Sequence, residues 1–170
     1  MLELSTNDIG QLLGIVSYIL GVSFFYQKDD RKLKKLMIIF NINHMIHFLL
    51  LGALVSALSS FVSILRTFTS MYTSSKYVAL VFILVGSMFS LAYVSEPTDL
   101  FSLLGMSVGT YSIFVLQGVL LRVGLLLGSV LWLVNNIFVG SFGGILLEST
   151  LIIVNLVTIK RLYGNRFETQ

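Results

Sequence analysis

The sequence contains no cysteine, a single proline (Pro97) and a single tryptophan (Trp132), and only 11% of its 170 residues are charged. Without cysteine there is no disulfide framework and no thiolate metal or redox centre. Soluble domains carry about 25% charged residues, so the scarcity of charge excludes an ordinary water-soluble fold. The formal net charge is only +3, and the basic residues are scattered over short connections, which excludes a nucleic-acid-binding surface. The start of the chain, MLELSTND, is acidic and lacks the basic region of a cleaved signal peptide, so the first apolar segment reads as a retained helix. No nucleophile motif and no strong ligand cluster points to an enzyme, a metal or another cofactor.

Apolar residues make up 56% of the chain, and the mean hydropathy is +0.93. These values fit a polytopic helical membrane protein, whose main partner is the lipid bilayer. The length allows roughly seven spans of about 20 residues. The sequence predicts helices near Ile9–Phe25, Leu36–Gly52, Val55–Tyr72, Tyr77–Val94, Leu100–Gln117, Leu120–Val139 and Gly144–Ile159. Seven spans place all eleven Lys and Arg on one side: Lys28 to Lys35 between helices 1 and 2, Arg66 and Lys76 at the next turn, Arg122, and Lys160, Arg161 and Arg166 after helix 7. Glu3, Asp8, Glu96 and Asp99 take the other side. By the positive-inside rule the N-terminus is outside and the C-terminus cytoplasmic. Arg66 reads as a snorkelling residue at the cytoplasmic surface, and the run to Lys35 as a solvated loop near anionic lipid.

A thin internal repeat is visible. Leu12-Leu13-Gly14 matches Leu103-Leu104-Gly105, and Asn43, Gly52 and Ser63 match Asn135, Gly144 and Asn155, at offsets of 91 to 92. The expected fold is therefore an all-α membrane protein with a 3+1+3 parallel repeat: residues 1–75, a linker helix at 76–97, a second three-helix unit at 98–162 and a cytoplasmic tail at 163–170. An odd linker helix gives both units the same orientation, with a pseudo-two-fold along the membrane normal and a site near the midplane between them.

The polar residues inside apolar segments mark that site, because unsatisfied polar groups in a bilayer cost several kcal/mol. The stretch WLVNNIFVGSFGGILLESTLIIVN carries Trp132, Asn135, Asn136, Glu148 and Asn155, with Gly140, Gly143 and Gly144 breaking it into two helices. Trp132, Asn135 and Asn136 share one helix face, as do Glu148 and Asn155. Helix 2 contributes Asn43, His44 and His47, and helix 3 a stripe that includes Ser56, Ser60, Ser63 and Thr67. Each has a bland alternative: interhelical hydrogen bonding for the Asn and His side chains, packing for Trp132, a hydrogen-bonded or hydrated carboxyl for Glu148.

Three segments, KDDRKLKK leading to HFLLLG, SILRTF, and WLVNNIFVGSFGGILLES running on to Asn155, resemble the YgjV family of bacterial inner-membrane proteins. The resemblance covers nearly the whole chain and implies location and topology more than activity. More distantly, the layout is similar to SWEET and PQ-loop transporters, which place a Trp and an Asn around the substrate. That likeness implies a carrier of a small polar solute such as a sugar, nucleoside or vitamin, with Trp132 and Asn155 at the site. Helices 1 and 5 lack hinge prolines, which favours a non-transporting receptor-like or structural protein; Gly14, Gly21, Gly105 and Gly109 offer flexibility instead. A membrane hydrolase built on His44, His47 and Glu148 ranks last. Self-association into a homo-oligomer is compatible with the sequence.

Overall fold

The computed structural model describes residues 5–25 and 30–167, apart from the side chains at 24, 25, 30, 31, 33 and 161–167. Glu3, Lys28 and residues 168–170 of the expected tail lie outside the described residues, as do the side chains of Arg31, Arg161 and Arg166. The described chain is all-helical. Its helices are α1 (Thr6–Phe25), α2 (Asp30–Leu50), α3 (Leu54–Thr69), α4 (Lys76–Leu91), α5 (Leu100–Val115), α6 (Gly118–Val139) and α7 (Phe142–Phe167). A single 3-10 turn, Pro97–Asp99, leads into α5.

The distribution of polarity is the reverse of a soluble protein's. Among the described residues, twenty buried side chains are polar or charged and nine are apolar, while Ile19, Leu84, Phe89, Phe138 and Ile153 are among the many exposed hydrophobics. Such a surface is stable only against lipid. Three stretches, Pro97–Val115, Gly118–Val139 and Phe142–Lys160, are long and apolar enough to cross a membrane; Leu54–Thr69 and Lys76–Leu91 are shorter apolar helices. Exposed Tyr72 and Tyr77 at one end of α3 and α4, and Tyr93 at the other, stand where amphipathic rings favour the lipid–water boundary.

Six helices form a closed ring. α1 packs on α2, α2 on α3, α3 on α5, α5 on α6, α6 on α7, and α7 returns to α1; α4 lies outside, against α3 and α5. Two short turns fix this order. Gly52 follows α2 with φ +75° and Gly140 follows α6 with φ +73°, left-handed conformations that only glycine adopts without strain.

Several boundaries depart from the sequence reading. α2 begins at Asp30, so most of the expected charged loop forms its first turns. There Lys34 Nζ donates to the Ser70 carbonyl at the C-terminus of α3, where a cation complements the helix dipole. α7 continues to Phe167, through part of the segment read as tail. The turn before α7 is made by Gly140 and Ser141, while Gly143 and Gly144 lie inside its first turn. A Cβ on Gly143 would stand 2.0 Å from the Gly14 backbone, so these two glycines bring α1 and α7 into backbone contact.

Candidate functional site

Helix α3 carries a polar stripe because its hydroxyls satisfy themselves. Ser60, Ser63 and Thr67 each donate to the carbonyl four residues back, at 3.0, 2.9 and 2.7 Å. No partner helix is required, so this face can border open space. It borders a cavity of about 520 Å³ enclosed by α2, α3, α5, α6 and α7, within the roughly 300–1,000 Å³ of small-molecule sites.

The cavity reaches the basic ends of the helices, where Lys34, Ser70 and Arg122 line it. Its far wall is His44, Trp132, Gly105 and Glu148. Trp132 lies against the backbone of α5: a Cβ on Gly105 would meet its indole at 2.8 Å. Phe48 stacks on the other side of Trp132, with ring centroids 5.8 Å apart and planes 18° apart. Glu148 is 7% exposed and lines the cavity together with Ser129 of α6. Asn155 donates to the Leu151 carbonyl at 2.9 Å, and its Oδ1 has no partner. Glu148, Asn155, Trp132, His44 and Ser63 thus come together around one space.

The remaining expected site residues, Asn43, His47, Asn135 and Asn136, do not line this cavity. Asn43 donates to the Leu13 carbonyl and to Ser17 Oγ, both at 2.8 Å. His44 also reaches Ser17 Oγ through Nδ1 at 3.0 Å. His47 Nδ1 lies 2.7 Å from the Gly10 carbonyl and Nε2 2.7 Å from Ser141 Oγ. A carbonyl only accepts, so Nδ1 carries the proton, and Nε2 of the neutral ring accepts from Ser141. Ser141 Oγ in turn accepts from the Gly144 N–H at 3.1 Å. This chain joins α1, α2 and the α6–α7 turn. Asn136 donates to the Trp132 carbonyl at 2.9 Å and fills the space beside Gly144. Asn135 Oδ1 accepts from Ser56 Oγ at 2.9 Å.

Asn135 also borders a second recess of about 260 Å³, with Leu51, Gly52, Glu96, Thr98 and Asp99, at the acidic ends of the helices. Between the two spaces stand Trp132, Phe48 and the Ser56–Asn135 bond. The same end is closed by Gln11, which donates to the Gly140 carbonyl at 2.6 Å and accepts from the Phe142 N–H at 3.2 Å.

Arg66 is the residue the sequence reading placed wrongly. It lies in the last turn of α3 but does not snorkel: it is 7% exposed and lines the cavity. Nor does it pair with Glu148. Its Nη1 lies 3.4 Å from Thr110 Oγ1 on α5, and its Nε has no partner. From sequence, a lone Arg near a helix end looks the same whether it turns outward or inward. Among the described residues, no group of three His, Cys, Asp or Glu is placed to hold a metal.

The cavity lining has an internal register. Lys34, Met37, Phe40, Asn41 and His44 line it from α2, and Arg122, Leu125, Gly128, Ser129 and Trp132 line it from α6, each exactly 88 positions on. Ser60, Ser63 and Thr67 of α3 correspond in the same way to Glu148, Leu151 and Asn155 of α7. The turn glycines Gly52 and Gly140 keep this spacing. It differs from the 91 to 92 of the sequence identities.

Comparison with known proteins fits an apolar exterior around a polar interior. The profile of the Imp-YgjV family, described as "Bacterial inner membrane protein", matches residues 8–166. The chain belongs to the YgjV family of bacterial inner-membrane proteins. It is similar to "Inner membrane protein YgjV" of Escherichia coli (strain K12), with 26% identity over 155 residues covering 91% of this chain and 85% of that protein. No solved structure matches it.

Proposed function

We propose that this inner-membrane protein is a carrier for a small polar metabolite, working by alternating access between α1–α3 and α5–α7. The observation that carries the reading is the cavity whose lining repeats at 88 positions in α2 and α6, and again in α3 and α7. A parallel 3+1+3 repeat of the SWEET type accounts for that register. It also makes the α3–α5 and α7–α1 contacts equivalent, with α4 as the linker. Two units joined by two equivalent seams can rock about the axis between them. The arrangement described here is open at the basic ends, which the positive-inside rule assigns to the cytoplasm, and closed at the periplasmic ends by Ser56–Asn135, His47–Ser141 and Gln11. In this scheme Glu148, Asn155, Trp132, His44 and Ser63 meet the solute. Asn43, Asn135, Asn136 and His47 belong to the seams and to the closed gate. The reading is of a carrier, not an enzyme.

A non-transporting receptor on the same fold is the second reading, favoured by the single proline, Pro97, which lies outside the main helices. Uptake into proteoliposomes, screened with labelled sugars, nucleosides, vitamins and small organic acids, separates the two. The carrier reading expects saturable uptake that falls at least tenfold in Glu148→Gln or Trp132→Ala. No uptake of any class by folded protein would favour the receptor.

A further inference from the structure

Among the described residues, the cavity holds a buried cation that no acid neutralises. Arg66 has one long contact, to Thr110 Oγ1 at 3.4 Å, and an unpartnered Nε. A guanidinium keeps its proton at any cellular pH, and removing it from water without a counter-charge costs several kcal/mol. The fold does not require an arginine there, since its counterpart 88 positions on is Val154. The backbone beside it is kept clear: a Cβ on Gly109 would meet Nη1 at 3.3 Å. Two further cations line the cavity at its mouth, Lys34 and Arg122, against one acid, Glu148. Glu148 stands with His44 and Trp132 in the wall away from those two mouth residues. The mouth is therefore positive, and a guanidinium waits just inside it.

From this we infer that the cavity selects a small organic oxyanion, a carboxylate or phosphate monoester, anchored on Arg66. The inference rests on the carrier reading for the identity of the site. Guanidinium offers paired donors that match two oxygens of either anion. Lys34 spends one donor on the Ser70 carbonyl and, with Arg122, draws anions toward the opening. Asn155 and Ser63 line the same space and complete a polar wall beside the anion.

The test is a binding measurement that needs no transport. Thermal unfolding of the purified full chain in detergent is followed with millimolar succinate, inorganic phosphate or glycerol 3-phosphate. Glycerol and choline chloride at matched ionic strength are the controls. At least one anion should raise the midpoint by several degrees, and the controls should not. Arg66→Gln should lose the shift, Arg66→Lys should keep part of it, and Lys76→Gln, a change outside the cavity, should keep all of it. Arg66→Gln should also be at least as stable as the parent without anion, because it removes an uncompensated charge; a structural arginine would behave the opposite way. No shift with any anion, or an equal shift in Arg66→Gln, overturns the proposal. So does an Arg66-dependent shift with phosphatidylglycerol micelles alone, which would assign the site to a lipid headgroup. Arg66-dependent binding without uptake in proteoliposomes would sink the carrier reading and leave the anion site standing. Uptake of a neutral sugar at parental rate by Arg66→Gln would do the reverse.

Discussion

Gly143→Ala is the substitution with the most calculable consequence. The added Cβ would lie 2.0 Å from both the carbonyl carbon and the oxygen of Gly14. Both obstacles are backbone, so no rotamer change relieves the overlap. Restoring an ordinary contact near 3.4 Å requires α1 and α7 to part by more than an ångström. That movement strains the bonds across the same seam: Gln11 to Gly140 at 2.6 Å, Phe142 to Gln11 at 3.2 Å, and His47 to Ser141 at 2.7 Å. Overpacking costs about 1–3 kcal/mol, and interhelical hydrogen bonds in membranes average about 0.6 kcal/mol each. Together they give a loss of about 3–5 kcal/mol. Gly118→Ala is the comparison. Nothing lies within 4 Å of its Cβ position, so only the backbone at φ +57° opposes it, at about 1–2 kcal/mol. Fluorescence-detected size exclusion after a temperature series, in one detergent, ranks the two. Gly143→Ala should have clearly the lower midpoint. Equal midpoints, or the reverse order, would refute the backbone contact between α1 and α7.

Three further outcomes follow from the same contacts. His47→Phe removes the links to Gly10 and Ser141, and should lower the detergent midpoint by about 1–2 kcal/mol equivalent; a more stable variant would deny the seam its role. Glu148→Gln keeps its size and its capacity to hydrogen-bond, so it should fold like the parent while changing uptake; wild-type uptake at every pH would remove Glu148 from the mechanism. A reporter fused after residue 170 should be active only in its cytoplasmic form, and activity only in a periplasmic form would invert the orientation.

Much of this arrangement is legible in the sequence, and the parts that are not share a physical cause. Apolar segment lengths and turn glycines place the seven helices, since each span must bury its own backbone bonds; the charged start of α2 and the polar end of α7 extend beyond the apolar segments that mark them. Helical periodicity groups Glu148 with Asn155, and Ser63 with its stripe. What a side chain touches is another matter. Asn43, His47, Asn135 and Asn136 read as cavity residues because they are polar and central, yet they face Ser17, Gly10, Ser56 and Gly144. Those neighbours are set by how helices far apart in sequence meet. Arg66 was hidden by its place near a helix end. The 88-residue spacing of the cavity lining is not legible in the sequence, because it pairs unlike residues, such as His44 with Trp132.

Opening of one cavity alternately to the two sides of the membrane is directly measurable, because the chain contains no cysteine. Ser63→Cys places a thiol in the cavity. It can be probed with a membrane-impermeant maleimide in right-side-out and inside-out vesicles. Alternating access predicts fast labelling from the cytoplasmic side, where Lys34 and Arg122 line the mouth, and slower labelling from the periplasmic side. Joining Gln11→Cys to Phe142→Cys with a short bismaleimide, before Ser63→Cys is exposed in a second step behind a removable thiol block, should abolish periplasmic labelling alone. Labelling from the cytoplasmic side only, with or without the cross-link, would contradict alternating access.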